Sequence, residues 1–274
     1  MKTKRFIHND LGCEYNVHGK GPRVLYCYHG FGGSFNDWST FMPWLEDAFT
    51  IYSFNDFFHG SSDFPLDRIN SDPLTKSELS AFYVSFALHH GHDEINLMAY
   101  SSGGRTVISI LEEGEMKIDE VWLFASDGIE ISFWNRLFCN YSSIQRLYFR
   151  LIEKPEAFFK SLKILTDLNL ISRDLSKFVF YSMRNEEKRR LLYKFWMTYR
   201  KIRPDRKRLI VSINKSVAKL HFVMGSKDKV IPAKIAYKFK KELAIYCDVL
   251  LIDTGHLLIE ERNLDLLREK FPLK

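Results

Sequence analysis

The chain has 274 residues, 46% hydrophobic and 27% charged, with a net charge of +6. That size and composition suit one α/β domain, or a core with an insertion, and exclude a disordered polymer. No apolar run approaches the roughly 18 residues of a membrane span, so no span is expected.

The basic residues 1–5 lead into Phe6-Ile7-His8-Asn9-Asp10, not into an apolar signal core, and secretion is not indicated. Residues 5–18 alternate loosely (Phe6, Leu11, Tyr15, Val17) and predict an antiparallel hairpin. Gly19-Lys20-Gly21-Pro22 breaks the chain before a buried strand, Val24-Leu25-Tyr26-Cys27-Tyr28. It runs into the loop His29-Gly30-Phe31-Gly32-Gly33-Ser34, after which Trp38, Phe41, Met42, Trp44 and Leu45 recur at helical spacing. The loop has neither GxGxxG nor a P-loop lysine, but it can bring the Phe31 N–H close to a ligand. Strand 49–54 ends in Asn55-Asp56, residues 66–72 read as loop, and residues 74–90 as an amphipathic helix.

The next strand ends abruptly at Ser101 in Ala99-Tyr100-Ser101-Ser102-Gly103-Gly104, and Val107, Ile108, Ile110 and Leu111 begin a helix that Gly114 stops. Strand, one-residue pivot and helix is how a serine is held out on a strained turn above a parallel sheet. Ala99 and Gly103 are small at minus two and plus two from Ser101, whereas the frame of Ser102 would put Tyr100 there. Strands follow at 120–125, 219–224 and 249–253, with helices at 233–243 and 259–271. This alternation predicts a mostly parallel, doubly wound sheet covered on both faces.

In such sheets ligands gather beyond the carboxyl ends of the strands. Asp228 stands there in Gly225-Ser226-Lys227-Asp228-Lys229-Val230-Ile231-Pro232, and His256 in Asp253-Thr254-Gly255-His256. Ser, Asp and His in that order supply a nucleophile, an orienter and a base. Asp127, in Ser126-Asp127-Gly128, competes for the acid position; otherwise it is a turn aspartate. His29 and His59 are expected to fix loops as hydrogen-bond donors. The remaining histidines lack ligand spacing, so neither a metal nor a cofactor is expected. Cys13, Cys27, Cys139 and Cys247 lack CxxC spacing; free buried thiols and a cytoplasmic location are expected.

Together with His59-Gly60-Ser61-Ser62, these motifs resemble the α/β-hydrolase superfamily over about residues 5–127 and 209–274. The resemblance implies Ser101 as nucleophile, Asp228 as acid, His256 as base, and the backbone N–H groups of Phe31 and Ser102 as oxyanion hole. It leaves the substrate open. The serine argues against epoxide hydrolases and haloalkane dehalogenases, which carry an aspartate at that position.

Residues 128–208 interrupt the alternation with helical segments and occupy the place of the superfamily's helical cap, leaving 1–127 and 209–274 as the core. Their apolar positions are aromatic, among them Phe133, Trp134, Phe138, Tyr148, Phe149, Phe159, Phe180 and Trp196, which predicts an apolar acyl or aromatic pocket. They hold 19 Lys+Arg against 8 Asp+Glu, which reads as a solvated face or as weak attraction to an anionic partner. Nucleic acid is not expected, since no recognition motif accompanies the charge. The reading is a hydrolase of carboxylic esters or thioesters acting on a small acyl substrate through an acyl-enzyme on Ser101. Alternatives are a C–C bond hydrolase or lyase with the same triad, and a hydrolase-like ligand-binding protein with little turnover.

Overall fold

The computed structural model describes residues 3–130, 140–183 and 185–273; Phe133, Trp134, Phe138 and Cys139 lie outside them. Eight strands form one sheet: β1 (Lys4–His8), β2 (Leu11–His18), β3 (Arg23–Tyr28), β4 (Phe49–Phe54), β5 (Glu94–Tyr100), β6 (Lys117–Phe124), β7 (Val217–Gly225) and β8 (Tyr246–Ile252). Their order is β1-β2-β4-β3-β5-β6-β7-β8. The expected hairpin is β1–β2; β2 also runs antiparallel to β4, and the remaining pairs are parallel.

The chain divides into two compact units, one made of Met1–Pro65, Thr75–Glu130 and Ile202–Lys274, the other of Leu66–Leu74 and Ile131–Lys201. The second unit takes in residues 66–74, and residues 202–208 go with the first.

In the first unit the central strands β3, β5 and β6 are buried on both faces over most of their length, as a doubly covered sheet requires. Leu25 and Cys27 of β3 join Trp38, Phe41, Phe49, Trp122 and Val223 in one buried cluster. Tyr28, on the opposite face, stacks on Phe54 at 5.4 Å and meets Tyr83 edge-on at 5.0 Å. The helices here are α1 (Met42–Leu45), α3 (Lys76–His90), α4 (Gly104–Glu113), α9 (Arg206–Ser216), α10 (Lys234–Lys240) and α11 (Leu264–Lys270). The sequence TKSE at the start of α3 forms a capping box, with Glu78 N–H donating to Thr75 Oγ1 at 3.2 Å.

In the first unit two elements differ from the sequence expectation. Residues Phe35–Phe41 form a 3₁₀ stretch, and only Met42–Leu45 is α-helical. Asn36, Asp37, Ser39 and Thr40 are weak helix formers that favour turns, and Ser34 Oγ accepts from Asn36 N–H at 3.2 Å. The last α-helix starts only at Leu264: a 3₁₀ turn, Glu261–Asn263, precedes it, and the Asn263 amide ties that turn back to Leu258 O at 2.9 Å.

The second unit contains α2 (Arg68–Ser71), where a loop was expected, and α5 (Ser142–Glu153), α6 (Pro155–Asp167), α7 (Arg173–Met183) and α8 (Glu186–Tyr199). Two arginines of its basic runs are buried instead of solvated. Arg189 donates to Ile152 O at 3.1 Å and Met183 O at 3.2 Å, near the carboxyl ends of α5 and α7. Arg200 donates to Asn70 O at 2.9 Å and also to Ile69 O and Met197 O. These cations satisfy orphan carbonyls where the helix dipoles end.

Candidate active site

β5 is buried from Ile95 to Ala99, and the chain then pivots on Ser101, whose φ is +50°. A non-glycine residue in this left-handed region costs on the order of 1–3 kcal/mol, which the surrounding contacts must offset. Those contacts are tight. A side chain on Gly103 would sit 2.5 Å from Tyr28 O and 2.6 Å from His29 O, so only glycine lets the elbow pack against the end of β3. On the other flank Asp127 N–H donates to Ser101 O at 2.8 Å.

Behind the elbow Ser101 Oγ donates to His256 Nε2 at 2.9 Å, and His256 Nδ1–H donates to Asp228 Oδ2 at 2.7 Å. Asp228 is buried, and its Oδ1 accepts from the N–H groups of Val230 at 2.8 Å and Ile231 at 3.0 Å. One oxygen thus caps the following turn while the other faces the imidazole. Ser102 is buried, and its hydroxyl finds no acceptor among the described residues. Asp127 is engaged elsewhere: Arg105 Nε donates to its Oδ2 at 2.6 Å and Gly128 N–H to its Oδ1 at 2.8 Å.

Tyr100 has a positional role that its place in the motif did not reveal. Its hydroxyl donates to His256 O at 3.0 Å, and its ring lies 5.5 Å from the imidazole. Burial, with the negative charges of Asp228, Asp37 and Glu260, holds this phenol well above its ordinary pKa, so it stays a donor. A cavity of about 290 Å³ adjoins it, lined by Asn36, Asp37, Ser39, Thr40, Tyr100, Leu257 and Ile259.

The loop carrying Phe31 is fixed by two histidines that accept as well as donate. His29 Nδ1–H donates to Gly30 O at 2.7 Å while its Nε2 accepts from Asp56 N–H at 3.1 Å. His59 Nδ1–H donates to Phe57 O at 3.2 Å while its Nε2 accepts from Gly32 N–H at 3.0 Å. Both must be neutral to do so. Burial, then the neighbouring His59, pushes His29 down to about 3, and burial lowers His59 as well. The loop reaches the serine: a side chain on Gly30 would lie 3.2 Å from Ser101 Cβ. Ser102 lies in the 3₁₀ turn Ser101–Gly103 that continues into α4, where the first N–H groups have no intrahelical acceptor.

The eight-stranded, mostly parallel sheet with its helices is that of the α/β-hydrolase fold, and this chain has that fold. The family model for the α/β-hydrolase fold matches residues 23–141. A thermophilic esterase from Thermogutta terrifontis is similar in structure, with a TM-score of 0.69, 16% identity and 98% of each chain covered. A probable hydrolytic enzyme from Pseudomonas aeruginosa gives 0.70 at 14% identity, covering 98% of this chain and 93% of that one. An enol-lactonase from Burkholderia xenovorans gives 0.63 at 14% identity, covering 97% of both. No curated protein matches the chain in sequence.

Among the described residues no group of three or more His, Cys, Asp or Glu is arranged to hold a metal, and no helix is long and apolar enough to cross a membrane.

Proposed function

We propose that the protein is a serine hydrolase of small carboxylic esters or thioesters. The observation that carries this reading is the continuous hydrogen-bonded chain from Ser101 Oγ through His256 to the buried Asp228, at 2.9 and 2.7 Å. A serine hydroxyl attacks a carbonyl only when a neighbour takes its proton. His256 Nε2 takes it as Oγ bonds to the acyl carbon, and Asp228 stabilises the imidazolium. The N–H groups of Phe31 and Ser102 hold the oxyanion, each worth roughly 3 kcal/mol in a comparable site. His256 then gives its proton to the leaving alcohol or thiol. Water, deprotonated by the same imidazole, releases the acid and restores Ser101.

The esterase and the lactonase of similar fold support ester chemistry without naming the substrate. Buried free thiols at Cys13, Cys27 and Cys247 favour a reducing compartment, and we assign the protein to the cytoplasm. A fluorophosphonate followed by peptide mapping tests the assignment. The adduct is expected on Ser101, with turnover of p-nitrophenyl esters abolished in Ser101→Ala. An adduct on Ser102, or turnover surviving in Ser101→Ala, would refute it.

A further inference from the structure

The second unit carries its surplus charge in a particular pattern. Residues 66–74 and 131–201 hold 16 lysines and arginines against 8 aspartates and glutamates, leaving 24 against 26 for the rest of the chain. Part of that surplus is spoken for: Arg189 and Arg200 are buried, and Arg190 pairs with Glu186 and Glu153. Lys163 and Arg68 are paired as well, with Asp167 and Asp72, and among the described residues several of the other cations lie exposed on helices beside large apolar side chains. On α6 and its C-cap Lys160, Ile164 and Leu168 recur at i, i+4 and i+8. On α7 Arg173, Lys177, Phe180 and Tyr181 recur at i, i+4, i+7 and i+8. Ile164, Leu168, Phe180 and Tyr181 are each more than half exposed. The two stripes join, because Phe159 of α6 meets Phe180 at 4.9 Å, and Lys188 of α8 lies 4.1 Å over the Tyr181 ring.

Clustered apolar exposure of this kind needs a partner, and the cations beside it select one. We propose that the α6–α7 face, through Lys160, Ile164, Leu168, Arg173, Lys177, Phe180 and Tyr181, docks on an anionic lipid bilayer. A bilayer offers both halves of the match. Phosphate groups meet the ammonium and guanidinium heads, while the apolar side chains enter the headgroup–acyl boundary a few ångströms deeper. A nucleic acid would take the cations but give Ile164 and Leu168 nowhere to go. A second copy of the same face would bring like charge against like charge.

The test uses the full chain in a vesicle co-sedimentation assay. Pure phosphatidylcholine is compared with phosphatidylcholine containing about one third phosphatidylglycerol, since each cation near an anionic surface adds about fivefold to partitioning. Binding is expected on the mixed vesicles only, and raising the salt from about 0.05 to 0.5 M should release the protein. The charge-reversed variant Lys160→Glu/Arg173→Glu/Lys177→Glu should bind at least about tenfold more weakly. Phe180→Ser/Tyr181→Ser should also bind more weakly at unchanged charge. Circular dichroism and the unfolding midpoint establish that each variant is folded. Three results overturn the proposal: no binding of the native chain to anionic vesicles at low salt, equal binding by the folded variants, or a native dimer that Phe180→Ser/Tyr181→Ser dissolves.

Discussion

Two aspartates after neighbouring strands could each orient a catalytic histidine, and the side chain each one meets separates them. Asp228 Oδ2 receives the His256 Nδ1–H, whereas Asp127 Oδ2 receives Arg105. Asp228→Asn should therefore lower kcat about 10⁴-fold with the fold intact, because the amide favours the wrong imidazole tautomer. Asp127→Asn should leave kcat within about tenfold, but leave the buried Arg105 poorly matched and lower stability by about 1–3 kcal/mol. Steady-state kinetics and urea unfolding on both variants check this, and the reverse outcome would move the acid to Asp127. The sequence could name both candidates but not choose, since the choice depends on a contact across 28 residues for Asp228 and 22 for Asp127. Ser101 was legible because its constraint is local: small residues at fixed offsets around a turn. Tyr100 was not, because its hydroxyl acts on a carbonyl 156 residues away.

Elements divide into those that aim the site and those that only support it, and the two kinds fail differently. Gly103 belongs to the first, since any Cβ there meets the Tyr28 and His29 carbonyls. Gly103→Ala should force the elbow off β3, cutting both turnover and fluorophosphonate labelling of Ser101 while costing about 1–3 kcal/mol as overpacking does. Thr75 belongs to the second. Thr75→Ala removes the cap of α3 and should cost about 1 kcal/mol, with kcat unchanged. Thermal unfolding set beside kinetics on the two variants separates the roles; a loss of kcat in Thr75→Ala would show α3 to be coupled to the site. Most elements were readable because strands apolar on both faces, and helices ended by Gly91 and Gly114, carry their signals locally. The 3₁₀ stretch at Phe35–Phe41 was not, because its buried Trp38 and Phe41 imitate helical spacing while its polar residues favour turns.

At the scale of the molecule, what the sequence withheld is what depends on long-range partners. Residues 66–72 look like a turn-rich loop, yet the carbonyls of Ile69 and Asn70 receive Arg200, and the Asn70 side chain receives the Tyr193 hydroxyl at 3.0 Å. No local pattern in Leu-Asp-Arg-Ile-Asn-Ser-Asp-Pro-Leu announces this. A second long-range property is the set of histidines folded in their neutral form. His29 is pushed down to about 3 by burial and then by His59. His92 is pushed down to about 4 by burial and then by His90, and the Tyr26 hydroxyl lies 2.7 Å from its Nδ1. A histidine whose folded pKa lies below its ordinary value binds fewer protons folded than unfolded, so stability falls as pH falls. The loss begins as pH drops below about 6.5, where the unfolded chain starts to take up protons, and continues until the folded pKa is reached. For the fully buried His29 the slope approaches about 1.4 kcal/mol per pH unit across that window. Urea midpoints measured from neutral pH down to about 4 should therefore decline steadily, carboxylates adding their part only toward the acid end. His29→Gln keeps a donor and an acceptor in the loop but removes the titration, and should flatten the decline by about one proton's slope between pH 6 and 4. An unchanged slope in that variant would mean that His29 is protonated in the fold, and the loop carrying Phe31 would then be held in some other way.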